Sequence, residues 1–228
     1  MLILRSPDSI LRSPAGILTA RAEYAIKFGL LYNPYAVMDI RKIAAPGWSV
    51  PTRTQAQVLI GYCGTNPARK LKDINPSYWP TETVNTNEYK LNMRNSGYRD
   101  GIGIPRYNDH HSWCLMGTDN WRIAYWALGQ GISNIPNDWI ALPNNQGYSL
   151  RFIKNTTTLT HGQSGTYTHN NGLAIKTICI GTQEWTAEPA YETKFRTGEV
   201  ITEITDNAAW GAATIPALCA LNNDWNNV

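Results

Sequence analysis

The sequence predicts an α+β domain, and three observations lead there. One segment carries a full set of helix signals. Several others alternate in the manner of short strands. The connections between them are long and rich in Asn, Gly and Pro. The composition agrees: Trp is abundant at nine, Gly stands at 18, and charged residues make up only 16%. Aromatic and β-branched residues favour strands, whereas Asn and Gly favour turns.

The helix lies in "PGWSVPTRTQAQVLIGYCG", residues 46–64. A short strand there gives way to Pro51, and Thr52 is placed to cap a helix with Gln55 as its capping-box partner. Ala56, Leu59 and Ile60 supply one apolar face, and Gly64 ends it. Residues 66–112 are loop-rich, punctuated by Pro67, Pro76, Pro80 and Pro105, with a turn-dense "SGYRDGIGI" at 96–104. "SWCLMGTDN", "RIAYWALGQ" and "GYSLRFIK" read as successive strands of a meander. Residues 155–173, "NTTTLTHGQSGTYTHNNGL", are polar and mark a linker or an exposed hairpin. "TICIGTQEW" (177–185) then reads as a strand, a Gly-Thr turn and a Trp.

Residues 1–27 stand apart. "ILRSP" occurs at 3–7 and again at 10–14, and Pro7 and Pro14 push Ser6 and Ser13 toward extended backbone. A disordered tail is one reading. The other is an extended peptide laid along a partner's groove or sheet edge, with Ile3, Leu4, Arg5, Ile10, Leu11 and Arg12 as its contacts.

At 228 residues the chain is long enough to bury a core without staples. A net charge of +3, dispersed along the chain, does not give the footprint of a nucleic-acid binder. No run of about twenty apolar residues is available to span a membrane. Arg, Ser, Pro and Asp interrupt the N-terminal apolar stretch, so a chain made in a cytoplasm, which does not leave by the general secretory route, is expected. Cys63, Cys114, Cys179 and Cys219 are widely spaced with no CxxC, and buried thiols are expected rather than a disulfide or metal framework.

The runs "LLYNPYAVMDIRKIAAPGWSVPTRTQAQVLIGY", "RKLKD", "YW", "SGYRDG", "SWCLMGTDN" and "GYSLRFIK" together resemble the Fibrobacter succinogenes major paralogous domain (FISUMP) over residues 30–154. That family places a further segment before this run, and here its counterpart comes last: "ICIGTQEWTAEPAYETKFRTGEVITEITDNAAW" and "LCALNND", within 178–224. The chain thus resembles a circular permutant. Residues 28–154 correspond to the family's C-terminal part, 174–228 to its N-terminal part, and 155–173 form the new linker within a single domain, 28–228. Ends of compact domains often lie close together, so a polar bridge is permitted. The alternative is that 174–228 swaps into a neighbouring subunit. The resemblance implies a C-type-lectin-like architecture: a twisted, mainly antiparallel sheet with one or two helices and long loops pinned by aromatic residues.

Candidate sites are few. His110 and His111 in "DHH" are adjacent, and neighbours in a strand point to opposite faces, which is poor geometry for one ion. "NDW" (137–139) and "NNDW" (222–225) carry calcium-ligand residue types, but Asn and Asp are also turn residues. The cysteine pair of formylglycine-generating enzymes finds no matching context at Cys114 and Cys219, and Phe152 stands where the family often has a Cys. No catalytic residue, metal ligand set or cofactor is expected, and the chain is not expected to be an enzyme. Trp48, Trp113, Trp185 and Trp210 are expected in the core, while Trp79 and Trp225 are among those able to stack on a sugar or anchor a partner. The candidate ligand surface is the segment between Met116 and Gly147, with Trp121, Tyr125, Trp126, Asp138 and Trp139.

The resemblance implies a display role. The expected function is a phage virion structural protein, of head-fibre, capsid-decoration or tail type, probing host-surface glycan or protein. Residues 1–27 would bind other virion proteins, and a homo-oligomer located in the virion is expected. The alternatives are a bacterial surface or secreted adhesion module and a purely structural virion joint.

Overall fold

The computed structural model describes residues 28–79, 84–106, 111–116, 124–129 and 145–223, with the backbone alone for 111–116, 124–129 and Asn222. Residues 1–27 lie outside the described residues, and with them Ile3, Leu4, Arg5, Ile10, Leu11 and Arg12.

The chain enters the body at Phe28 and forms β1 (Leu30–Tyr32). A single helical turn follows, α1 (Pro34–Met38), with Asn33 as its N-cap and proline at its first position, where a missing N–H costs nothing. β2 (Trp48–Ser49) leads to α2 (Arg53–Cys63). The predicted capping box is present: the Gln55 N–H donates to Thr52 Oγ1 at 3.2 Å, and the Thr52 N–H donates to Gln55 Oε1 at 2.9 Å. Gly64 closes the helix at φ 65°, a left-handed conformation that favours glycine. Then come α3 (Pro67–Leu71), the hairpin β3 (Tyr98–Arg99) and β4 (Pro105–Arg106), and the hairpin β5 (His111–Met116) and β6 (Ala124–Gly129). The rest of the chain supplies β7 (Gly147–Tyr148), β8 (Ile153–Lys154), β9 (Ser164–Thr168), β10 (Ala174–Ile180), β11 (Gln183–Thr186), β12 (Thr202–Glu203), α4 (Asn207–Gly211) and β13 (Ala217–Ala220).

These elements make an α+β fold. One sheet runs β12-β13-β1-β7-β3-β4, a second runs β2-β8-β11-β10-β9, and β5-β6 stands as a separate hairpin. Every described pair is antiparallel except β12 with β13. The expected meander strand "GYSLRFIK" is two strands, not one. Gly147–Tyr148 joins the first sheet, and Ile153–Lys154 joins the second. The helices also exceed the one or two expected, because α1, α3 and α4 each have only five residues, too few to show a periodic apolar face in sequence.

Early and late segments share both sheets within one chain. Leu30, Leu31 and Tyr32 pair with Ala220, Cys219 and Leu218, while Trp185 pairs with Ile153. Alternation along these strands divides the core. Leu30, Tyr32, Leu218 and Ala220 pack with Tyr148, Phe152, Tyr167 and Phe195, whereas Leu31, Ala217 and Cys219 pack around Trp210. A third cluster sits under α2, where Leu59 and Cys63 meet Leu71, Trp79, Ile178 and Trp185. Residues 155–173, expected as a polar linker or exposed hairpin, contribute to the core instead: they contain β9, and its Tyr167 is fully buried.

Polar joints tie distant segments of the chain together. Asn33 Oδ1 accepts from the Ala36 and Ala217 N–H groups, and its Nδ2 donates to the Ile215 carbonyl. Arg151 donates to the carbonyls of Leu91, Asn92 and Thr186. Arg99 is completely buried. Its Nε donates to the Gly103 carbonyl, Nη1 to the Ile204 carbonyl and Asn223 Oδ1, and Nη2 to the Thr205 carbonyl and Asn207 Oδ1. Its guanidinium lies 4.6 Å from the centroid of the Trp210 ring. Gly103 permits this closeness: at φ +81°, an added Cβ would stand 2.0 Å from the Asn207 carbonyl oxygen.

Two substitutions test this joint. Arg99→Lys keeps the charge but loses the planar fork, and a stability loss of about 3 kcal/mol is expected in urea unfolding. Gly103→Ala is expected to cost about 2–4 kcal/mol. Midpoints unchanged in both variants would show that the joint does not hold these segments.

Candidate functional site

Of the expected ligand residues, the structure describes only the backbone at Tyr125 and Trp126. Tyr125 stands opposite Leu115, and Trp126 opposite Cys114, in the β5-β6 ladder. Trp121, Asp138 and Trp139 lie outside the described residues, as do Asp109, His110 and Trp225. Trp48, Trp185 and Trp210 are buried as expected. Trp79 is buried too, with Nε1 donating to the Met93 carbonyl and Lys72 Nζ 4.5 Å from its ring centroid, so it is not available as a stacking surface. The Asn223 side chain is engaged internally, accepting from Arg99 and donating to the Thr205 carbonyl at 2.6 Å.

Among the described residues there is a dense buried polar cluster that the sequence did not single out. Glu192 is completely buried. Its Oε1 accepts from the Tyr167 hydroxyl at 2.5 Å, and the Asn170 N–H donates to both carboxyl oxygens, at 3.2 and 2.9 Å. The Tyr167 hydroxyl in turn accepts from the Ala45 N–H. The Tyr32 hydroxyl donates to the Glu192 carbonyl and accepts from the Glu192 N–H. Beside it the His169 ring meets the Tyr167 ring edge-on at 4.8 Å. His169 Nε2 accepts from the Tyr191 N–H, so the ring proton sits on Nδ1 and is donated to the Leu173 carbonyl. The available signal was "TYTHNNGLAIKT": alternation, an Asn-Asn-Gly turn, and alternation again, which is a hairpin pattern.

Burial sets the protonation of this cluster. Desolvation raises the Glu192 carboxyl from the usual 4.5 to about 8, against the lowering effect of its hydrogen bonds from Tyr167 and Asn170. Desolvation likewise lowers His169 from the usual 6.5 to about 4. The thiols are held protonated: burial pushes Cys63 up to about 12 and Cys219 to about 11, and raises Cys179. Cys63, Cys179 and Cys219 are unpaired. A thiol without its thiolate form is a poor nucleophile and a poor metal ligand. Among the described residues no group of three or more His, Cys, Asp or Glu is arranged to hold a metal ion, and no helix is long and apolar enough to cross a membrane. The cluster acts as a structural lock between the sheets.

Set beside known proteins, the chain matches no family, no curated protein and no solved structure.

The lock gives a pH signature. The folded chain holds the Glu192 proton more tightly than the unfolded chain does, so the stability this group contributes is full below its ordinary value and is lost as pH rises toward about 8. His169 has the opposite sign: its contribution is full above the ordinary value and is lost as pH falls toward about 4. The two oppose each other between about pH 4.5 and 6.5, so the thermal midpoint of the native chain is expected to be nearly level there and to fall between about pH 6.5 and pH 8. In Glu192→Gln it should instead rise between about pH 5 and 6.5, through His169, and stay level from about pH 6.5 to pH 8. An equal slope in both proteins would remove Glu192 as its source.

Proposed function

We propose that this chain is a particle-bound display protein of a phage virion, of head-fibre, capsid-decoration or tail type. Its body is a circularly permuted FISUMP-like, C-type-lectin-like domain. The observation that carries the reading is the interleaving of late and early segments: β13 lies beside β1, and β11 beside β8, as a permuted domain requires. The residues that bear the resemblance support it further. Asn33 of "LLYNPY", Arg99 of "SGYRDG" and Arg151 of "GYSLRF" each bond to backbone in distant segments, and Trp185 of "TQEW" is core. They behave as determinants of one architecture.

In this reading residues 1–27 dock on other virion proteins through their two "ILRSP" copies, and the body faces outward toward host-surface glycan or protein.

The test is mass spectrometry of purified particles, with copy number per particle. A fixed stoichiometry is expected. Absence from particles, with the chain in the cell envelope, would overturn the reading in favour of a bacterial adhesion module. Deleting residues 1–20 is expected to abolish incorporation while leaving the circular-dichroism spectrum and unfolding midpoint of the body unchanged. Unaltered incorporation of the truncated chain would remove the anchoring role.

A further inference from the structure

Three rings from distant parts of the chain meet at the surface. Tyr62 lies in the last turn of α2, Tyr89 in the loop after α3, and His161 in the turn before β9. Their centroids are 5.9 Å apart for Tyr62 and Tyr89, 5.1 Å for Tyr62 and His161, and 5.8 Å for Tyr89 and His161. The corresponding planes are inclined by 62°, 54° and 64°, so no two of the rings stack face to face. Tyr62 is 47% exposed, His161 is exposed and Tyr89 is half-buried.

The site is fixed from below. The Tyr62 ring rests on the β10-β11 turn, where a Cβ on Gly181 would come within 2.8 Å of it. The Gly181 N–H donates to His161 Nδ1 at 3.2 Å. Nδ1 is thus the acceptor, and the ring proton sits on Nε2, a donor with no partner among the described residues. The turn carrying His161 is held by the Gly162 N–H on the Cys179 carbonyl and the Gln163 N–H on the Thr160 carbonyl. At the rim, Lys70 Nζ lies 5.9 Å from the Tyr89 centroid and 3.8 Å from a Glu88 carboxyl oxygen, and it donates to the Cys63 carbonyl.

We propose that Tyr62, Tyr89 and His161 form a binding platform for a neutral sugar, one pyranose ring of a glycan. Aromatic faces attract the C–H edges of a sugar through the negative charge of the ring face. A small number of placed polar groups then fixes orientation: the Tyr62 hydroxyl, the His161 Nε2–H and the Glu88 carboxylate supply donors and an acceptor for sugar hydroxyls. Charge narrows the class, because the Lys70 ammonium at the rim is already paired with the Glu88 carboxylate. Size selects it too. A triangle of rings under 6 Å on a side matches a single sugar ring and falls far short of the roughly 800 Å² per partner of a stable protein interface. The Gly181 turn takes up the Tyr62 ring and His161 Nδ1, which leaves the Tyr89 ring and the His161 Nε2–H for the ligand. For its biological sense the inference rests on the display reading.

The experiment is a titration of the full ¹⁵N-labelled chain with methyl glucoside, methyl galactoside, N-acetylglucosamine and cellotriose. At least one is expected to shift the amides of Tyr62, Tyr89, His161 and Gly181, with a Kd of about 1–10 mM. Tyr62→Leu keeps an apolar cover over Gly181 but removes the aromatic face, and His161→Ala removes the donor at an exposed turn. Each is expected to weaken binding about ten-fold while leaving distant amides unmoved. No shift with any of the four up to about 100 mM, shifts unchanged in both variants, or shifts confined to residues 124–129 would each overturn the platform. Particle incorporation separates the two proposals. A chain present on particles at fixed copy number that binds none of these sugars sinks only the platform. A chain that binds a sugar here but is absent from particles sinks only the display reading.

Discussion

The burial of one guanidinium organises this fold. A buried guanidinium presents five N–H donors, and the surroundings must accept all of them or bear a large desolvation cost. At Arg99 they do, through three carbonyls and two Asn side chains, with the Trp210 ring beneath. These acceptors come from the β3-β4 turn and from residues 204–223, which are far apart in sequence. The guanidinium therefore fixes the last quarter of the chain against the middle. Gly147 serves the same contact: a Cβ there would stand 2.5 Å from the Trp210 ring.

Such joints matter because the ladders are short. β2, β3, β4, β7, β8 and β12 are two residues each, so much of the backbone must find hydrogen bonds elsewhere. Side chains supply them. Arg196 donates to the carbonyls of Ala44, Ala45 and Trp48, and Asn170 Nδ2 donates to those of Ile43 and Lys194. Asp100 accepts from the N–H groups of Ile102 and Ile104 and binds Arg106. With few charged residues overall, a large share of the informative ones face inward.

What the sequence showed was local. The Thr52–Gln55 capping box, Gly64 as the helix stop and the Gly-Thr turn of the β10-β11 hairpin each depend on residues within a few positions of one another, and local chemistry decides them. The switch of "GYSLRFIK" from one sheet to the other depends on partners up to about 120 residues away in sequence, at Tyr32 and Ser49. Tyr167 looked like part of a polar connection because its neighbours are Thr, Gly and His, yet alternation carries its ring alone into the core. Glu192 gave no signal at all, since a buried acid cannot be told from an exposed one until its donors are placed. The candidate surface on residues 121–139 came from composition, whereas the three-ring cluster could not be read in advance: its members lie at 62, 89 and 161.

The pairing of Leu30 with Ala220 has a mechanical consequence. In an antiparallel pair, the start of β1 and the end of β13 lie at the same end of the ladder. A load applied between residue 28 and residue 223 would open that ladder one rung at a time, like a zip. A load entering at residue 28 and leaving through the body's surface meets β1 between β13 and β7, with its Leu30 N–H bonded to the Ala190 carbonyl. Several bonds must then yield together. A body tethered at one end and pulled at its face resists far better than one pulled by both ends.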